Sequence, residues 1–309
     1  VPHATPISSA AAPLPLAPAR SGSADRQGVS SGGIIRPADV PRRLLREPVV
    51  THSGNAGGFF CEHAFFTAQT VARQAAVLAN RHGEPLVGFL HVPGAYDRWL
   101  GDVPTAPADP ARRHARTLRV VGRALAGFVA EAVASGQVTA GPVRLLLTGF
   151  GPWGAVTDNP TGDLVGRRDL LATALDQGFG GTCQALTAPP LPATLSSTWA
   201  WLAAYAVPMP AGGRQEVWLC GWTLPTSDEA LDPAHPRSLP QAICGPLQPH
   251  AVLSLGVARR RRRFYVEHTA ADVNLLDGRH QDAPARTVLP ANFALARAIR
   301  CGGQMEANG

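Results

Sequence analysis

The sequence predicts an α/β fold, an open, doubly wound and mostly parallel sheet with helices on both faces, and two observations carry that expectation. Short runs rich in Val, Leu and Phe recur at strand length, and stretches with apolar residues at helical spacing separate them. The alternation is clearest over 48–148, and it is the rhythm of βα units and parallel pairing. The chain has 309 residues, 45% of them apolar, ample for a packed core.

Residues 1–35 are rich in Pro, Ala, Ser and Gly and show no periodicity, so they read as a disordered tail before a single domain over 36–309. A short helix is expected at 40–46, a strand at 48–52, a helix over 62–80 and an apolar strand over 86–92. The stretch 111–134 keeps Val120, Val121, Leu125, Val129 and Val133 at helical spacing, and 144–148 then reads as a buried strand. Beyond it, 195–206 reads as a helix, and 216–221, 251–256 and 264–269 read as strands. The Pro-rich piece 225–249 has little periodicity and is expected to be an insertion or a long surface excursion.

Composition narrows the function classes. No apolar run approaches the roughly 18 residues of a membrane span. The formal charge of +6 comes largely from Arg259 to Arg263, without which 23 basic residues face 22 acidic ones. All 28 basic residues are Arg, which fits a base-composition bias better than selection for phosphate binding, so nucleic acid is not the expected partner. Cys61, Cys183, Cys220, Cys244 and Cys301 form no CxxC pair and no Cys/His cluster at zinc spacing, and no metal site is expected. The start at Val1, ahead of the Ala/Pro/Ser-rich stretch, leaves export open.

The most informative local pattern is a strand, then Ser53-Gly54-Asn55-Ala56-Gly57-Gly58-Phe59-Phe60, then Cys61 at a helix start. Unpaired backbone N–H groups and the positive end of the helix dipole there favour thiolate and can hold an oxyanion. A buried structural cysteine in a glycine-rich turn fits the same pattern. His91 stands at the end of the apolar strand Leu86-Val87-Gly88-Phe89-Leu90, where a base could meet the thiol, and a structural histidine is the alternative. His63 and His82 lack that strand placement. Glu267, within Phe264-Tyr265-Val266-Glu267-His268-Thr269, could orient an imidazole or pair with an arginine. Thr148-Gly149-Phe150-Gly151-Pro152-Trp153-Gly154 and Asn159-Pro160-Thr161 form a loop whose two aromatics suit a small flat ligand or plug the sheet end.

Four of these segments resemble the pyroglutamyl peptidase I family. Leu147 to Gly154 with Asn159-Pro160-Thr161 is similar to its TGFxPFG…NP[ST] signature, and Pro249 to Gly256 followed by Glu267 to its PDxxxxxG…E segment. Asn55 to Cys61 is similar to its SAGxxxC segment, and Gly88 to Pro93 to its GFIHVP segment. The segments span most of 38–274, but their order is rotated: here the cysteine, the histidine and a long helix precede the TGF strand. The resemblance thus implies a circular permutation, with the family's last helix joined to its first strand through 135–142. Such a change is tolerable where the old termini are neighbours.

What the resemblance implies is a cysteine peptidase that removes an amino-terminal pyroglutamyl residue from peptides through a thioester. Cys61 would be the nucleophile, His91 the base and later acid, and Glu267 the residue orienting the imidazole. It further implies Phe150 and Trp153 as walls for the pyrrolidone ring and Asn159 as a loop-fixing or substrate-side residue. No metal or organic cofactor is required, a cytoplasmic setting is the family's, and homo-oligomerisation stays open. Three segments depart from the family: Glu62 follows the nucleophile in place of Asn, Val257-Ala258 followed by Arg259 to Arg263 replaces a Gly-rich loop, and Gly94 replaces an aromatic. Those departures motivate a rival reading, a non-catalytic member that binds peptide amino termini or small lactams.

Overall fold

The computed structural model describes residues 50–53, 60–78, 83–93, 110–153, 159–191, 199–258, 264–271, 288–293, 295 and 299. The expected tail over 1–35, the helix at 40–46, His82, Gly94 and Arg259 to Arg263 lie outside them. A strand β1 (Val50–Ser53) leads to helix α1 (Phe60–Leu78), strand β2 (Leu86–Pro93), helix α2 (Pro110–Ala134) and strand β3 (Val143–Phe150). These five elements fall where the apolar pattern put them.

Strand β3 is followed by helices α3 (Pro160–Gly166) and α4 (Arg168–Phe179), which the sequence reading did not separate from loop. Both are legible in retrospect. Asn159 caps α3 by accepting from Thr161 N, with proline in the first turn. Helix α4 buries Leu170, Leu171, Ala174 and Leu175 at helical spacing. It crosses α2 where Gly122 and Gly178 face each other, and a Cβ on either would run into the other helix's backbone.

Next come strands β4 (Gln184–Leu186), β5 (Ala200–Pro208) and β6 (Arg214–Leu224). The helix expected at 195–206 is therefore wrong over 200–206, where the chain is a strand. Its alanines suggested a helix, but Ala203, Tyr205 and Val207 alternate into one apolar cluster while Ala200 and Leu202 belong to the other. The hairpin to β6 turns through Gly212 and Gly213, both at positive φ, and sheet pairing overrides helix propensity.

The excursion expected at 225–249 is also corrected. It carries a 3-10 turn (Asp228–Ala230) and helix α5 (Leu239–Cys244), which buries Leu239, Pro240, Ala242 and Ile243 and packs on α1. Strand β7 (Ala251–Ala258) follows. The strand expected at 264–269 is two, β8 (Phe264–Glu267) and β9 (Thr269–Ala271), and β9 pairs with β10 (Val288–Pro290) in a separate ribbon.

Among the described residues the main sheet has eight strands in the order β1-β8-β2-β7-β3-β6-β5-β4. Strands β2, β7, β3 and β6 form its parallel centre, β8 runs antiparallel to β2, and β5 antiparallel to β6. The fold is α/β with a mixed, mostly parallel sheet. Strand β1 pairs in parallel with β8, not with β2, so the first strand and helix do not join β2 as a regular βαβ unit. Helices α2, α3 and α4 contribute to the apolar cluster on one face, and α1 and α5 to that on the other. None of the described helices is long and apolar enough to cross a membrane.

Candidate active site

Side-chain alternation puts the chemistry on the α1 face. Phe89 and His91 share that face of β2, Ser254 and Gly256 that of β7, Thr148 and Phe150 that of β3, and Trp222 and Leu224 that of β6. His91 lies directly opposite Gly256 in the β2–β7 pairing. Glu267 ends β8, the strand on the other flank of β2. Three sheet neighbours thus bring an imidazole, a carboxylate and a bare backbone position to one place.

His91 Nδ1 lies 2.7 Å from Glu267 Oε1, with both side chains almost wholly buried. Phe89 supports the imidazole from two residues back, its ring centroid 5.0 Å away at a steep angle. With Nδ1 committed to the carboxylate, Nε2 is the ring nitrogen left for a thiol.

Cys61 stands in the first turn of α1, where backbone N–H groups have no intrahelical acceptor. Its sulfur hangs over Gly256: a Cβ built there would lie 3.0 Å from Sγ and 2.8 Å from the Phe89 ring. Gly256 is required by space, because any side chain would take the volume that the thiol and the ring now share. It is a site residue that the sequence reading treated only as part of a motif.

Burial alone would push the His91 imidazole down, and that is its largest single influence. Hydrogen bonding to Cys61 and to Glu267, with the charges of both, outweighs it and raises the value from 6.5 to about 9. The imidazole is therefore held as a cation by two partners on either side. Cys61 is only half-buried, which leaves the sulfur as the most accessible member of the set. Glu62, next to it, is 3% exposed and engaged in an interaction of its own. His63, also on α1, has an interaction of its own and is not among the groups that set the His91 proton affinity.

Strand pairing beside this cluster ends unevenly. Pairing continues to Pro93 and Ala258 between β2 and β7, and to Phe150 and Leu224 between β3 and β6. Between β3 and β7 it ends at Thr148 and Ser254, whose hydroxyls bond at 2.9 Å. A crevice between diverging strands at their carboxyl ends is where open α/β sheets bind ligands. Phe150 stands on its far side, 3% exposed, edge-on to Phe60 at 5.4 Å between centroids, and Phe60 directly precedes Cys61.

Asn159 is spent on its own loop. Its Nδ2 donates to Gly151 O at 2.9 Å, and its Oδ1 accepts from Thr161 N and Thr161 Oγ1. Thr161 Oγ1 in turn accepts from Phe150 N, and Thr226 Oγ1 adds a second bond to Gly151 O. The network holds Phe150 in place. Trp153 is half-buried beyond it and belongs to neither apolar cluster. Among the described residues, no group of three His, Cys, Asp or Glu is placed to hold a metal. Comparison with family models, with curated proteins and with solved structures returned no match.

Proposed function

We propose that the protein is a cysteine-type peptidase of the pyroglutamyl peptidase I kind, in circularly permuted order, acting on peptides with an amino-terminal pyroglutamyl residue. The observation that carries this reading is the buried His91–Glu267 bond with the imidazole also bonded to Cys61 at the carboxyl end of the central strands. A thiolate–imidazolium pair oriented by a carboxylate is the arrangement that acyl transfer to sulfur needs. The permutation is supported by the direct run of α2 into β3 through 135–142, the joint at which the two rotated halves would be spliced.

In this mechanism Cys61 Sγ attacks the scissile carbonyl carbon, and the amide π electrons move to oxygen. Backbone N–H groups at the start of α1 face the developing oxyanion. On collapse the C–N bond breaks, and His91 gives its Nε2 proton to the departing amine. Neutral Nε2 then takes a proton from water, hydroxide adds to the thioester, and pyroglutamate leaves as the sulfur recovers its electron pair. His91 is reprotonated in the same sequence, so water and peptide yield two products with no net proton held by the enzyme. Throughout, Glu267 keeps the ring oriented and stabilises its positive charge.

A pyroglutamyl-linked fluorogenic amide tests the reading. Under reducing conditions the protein is expected to release fluorophore, and Cys61→Ala to lose at least about a thousandfold in turnover with unchanged thermal unfolding. No release by the unaltered protein, from mildly acidic to alkaline pH, would leave the non-catalytic binder of peptide termini in its place.

A further inference from the structure

Among the described residues, three buried N–H donors on or beside β6 have no hydrogen-bond partner. Trp222 is wholly buried, and its Nε1 has no hydrogen-bond partner among the described residues; the same is true of Trp199 Nε1 and Arg237 Nε. Buried donors are so consistently paired in folded proteins that one without an acceptor calls for an explanation, and a ligand oxygen is one such explanation.

These donors gather around one residue of β6. Arg237 Nη2 donates to Thr223 O at 3.2 Å, Thr223 N donates to Trp199 O at 2.8 Å, and the Arg237 guanidinium lies 4.8 Å over the Trp199 ring. Trp222 is the residue before Thr223. It lies opposite Thr148 in the pairing, on the same face as Phe150 and within the apolar cluster that holds Phe60 and Phe150. Trp222 thus shares a sheet face and an apolar cluster with Phe150 and Phe60, the residue before Cys61, and carries a buried indole N–H without a partner among the described residues.

We propose that Trp222 Nε1, backed by Trp199 and Arg237, recognises the ring carbonyl oxygen of the acyl group, so that the far end of the acyl subsite selects a lactam over a plain five-membered ring. This rests on the pyroglutamyl reading of the site. A neutral carbonyl suits the position better than a carboxylate, because an acid would have to be desolvated against Phe60 and Phe150. A site built to bond an oxygen also rejects the analogue without it, since the donor is then left empty.

Two measurements test it. Trp222→Phe keeps a buried aromatic but removes the N–H together with the indole's second ring, so the two amides are compared within the one variant; kcat/KM for a pyroglutamyl amide is expected to fall roughly 10- to 100-fold, with a clearly smaller loss for the cyclopentanecarbonyl amide, which feels the lost volume but not the lost N–H. Trp201→Phe is the control, because that indole bonds Val165 O on the opposite face and its loss is expected to leave selectivity intact. Equal losses on both amides in Trp222→Phe, or preferred cleavage of a glutaryl amide, overturn the proposal. In the full chain with nitrogen-labelled indoles, 2-pyrrolidinone is expected to move the Trp222 N–H resonance downfield. A resonance that moves in a protein without turnover sinks the peptidase reading alone, whereas turnover with an unmoved resonance sinks this inference alone.

Discussion

On the β2–β7 side of the rim, His91 and Glu267 meet across 176 residues of chain, and Cys61 joins them from a third segment. On the β3–β6 side, Phe150, Asn159 and Thr161 are tied together within 11 residues by backbone and amide bonds. The first wall holds charge in a buried setting and exists only when the whole sheet has formed. The second is neutral and largely local. On the proposed reading, damage to the first is expected to remove chemistry, and damage to the second to loosen the structure that would position the acyl group.

Glu267→Gln strikes the first wall hardest. The amide has nearly the same shape but no charge, so the imidazolium loses a partner and turnover is expected to fall about 100- to 10,000-fold with little change in KM. The pH profile gives the sign. In the intact protein His91 stays protonated up to about 9, so the step that protonates the amine is expected to fail above that pH, placing the alkaline limb of kcat near 9. Without the carboxylate that limb is expected to move down; a limb that stays put while turnover collapses would show that Glu267 acts in some other way. The same raised value makes a stability contribution that is full below 6.5 and lost as pH rises through about 9, checkable by urea unfolding on either side of that window.

Gly256→Ala attacks the meeting of thiol and imidazole without touching either. The new methyl would sit 2.8 Å from the Phe89 ring, which must shift, and 3.0 Å from Cys61 Sγ, close enough that the thiol must give way. A loss of about 1–3 kcal/mol in unfolding free energy is expected, with a fall in turnover of roughly tenfold or more as the sulfur is displaced. Full activity at unchanged stability would mean that the sulfur does not work from above β7.

The difference between the walls also explains what could be read from the chain. Helix α2 and strands β2 and β3 were legible because their apolar periods are long and unmixed. The strand at 200–208 was not, since Ala-rich sequence favours helix and only hairpin pairing with β6 turns Tyr205 and Val207 to one face. The excursion at 225–249 hid α5 because six helical residues carry too short a period to detect. At the site, Cys61, His91 and Glu267 were each ambiguous locally, and their likeness to a known family's segments singled them out. No spacing along the chain could foretell that Gly256 lies under the sulfur or that Trp222 stands two strands away, because sheet register alone sets both.

Asn159→Ala is the mildest change and the cleanest probe of the second wall. It removes a cap on α3 and the amide that holds Gly151 O, while Thr226 Oγ1 still bonds that carbonyl. About 1–2 kcal/mol of stability is expected to go. The loop would then hold Phe150 less firmly, so KM should rise severalfold while the alkaline limb of kcat remains near 9, because Cys61, His91 and Glu267 on the other wall are untouched. A shift of that limb, with the loop altered and the trio intact, would show that the two walls are coupled across the Thr148–Ser254 bond at the crevice floor and do not act as separate parts.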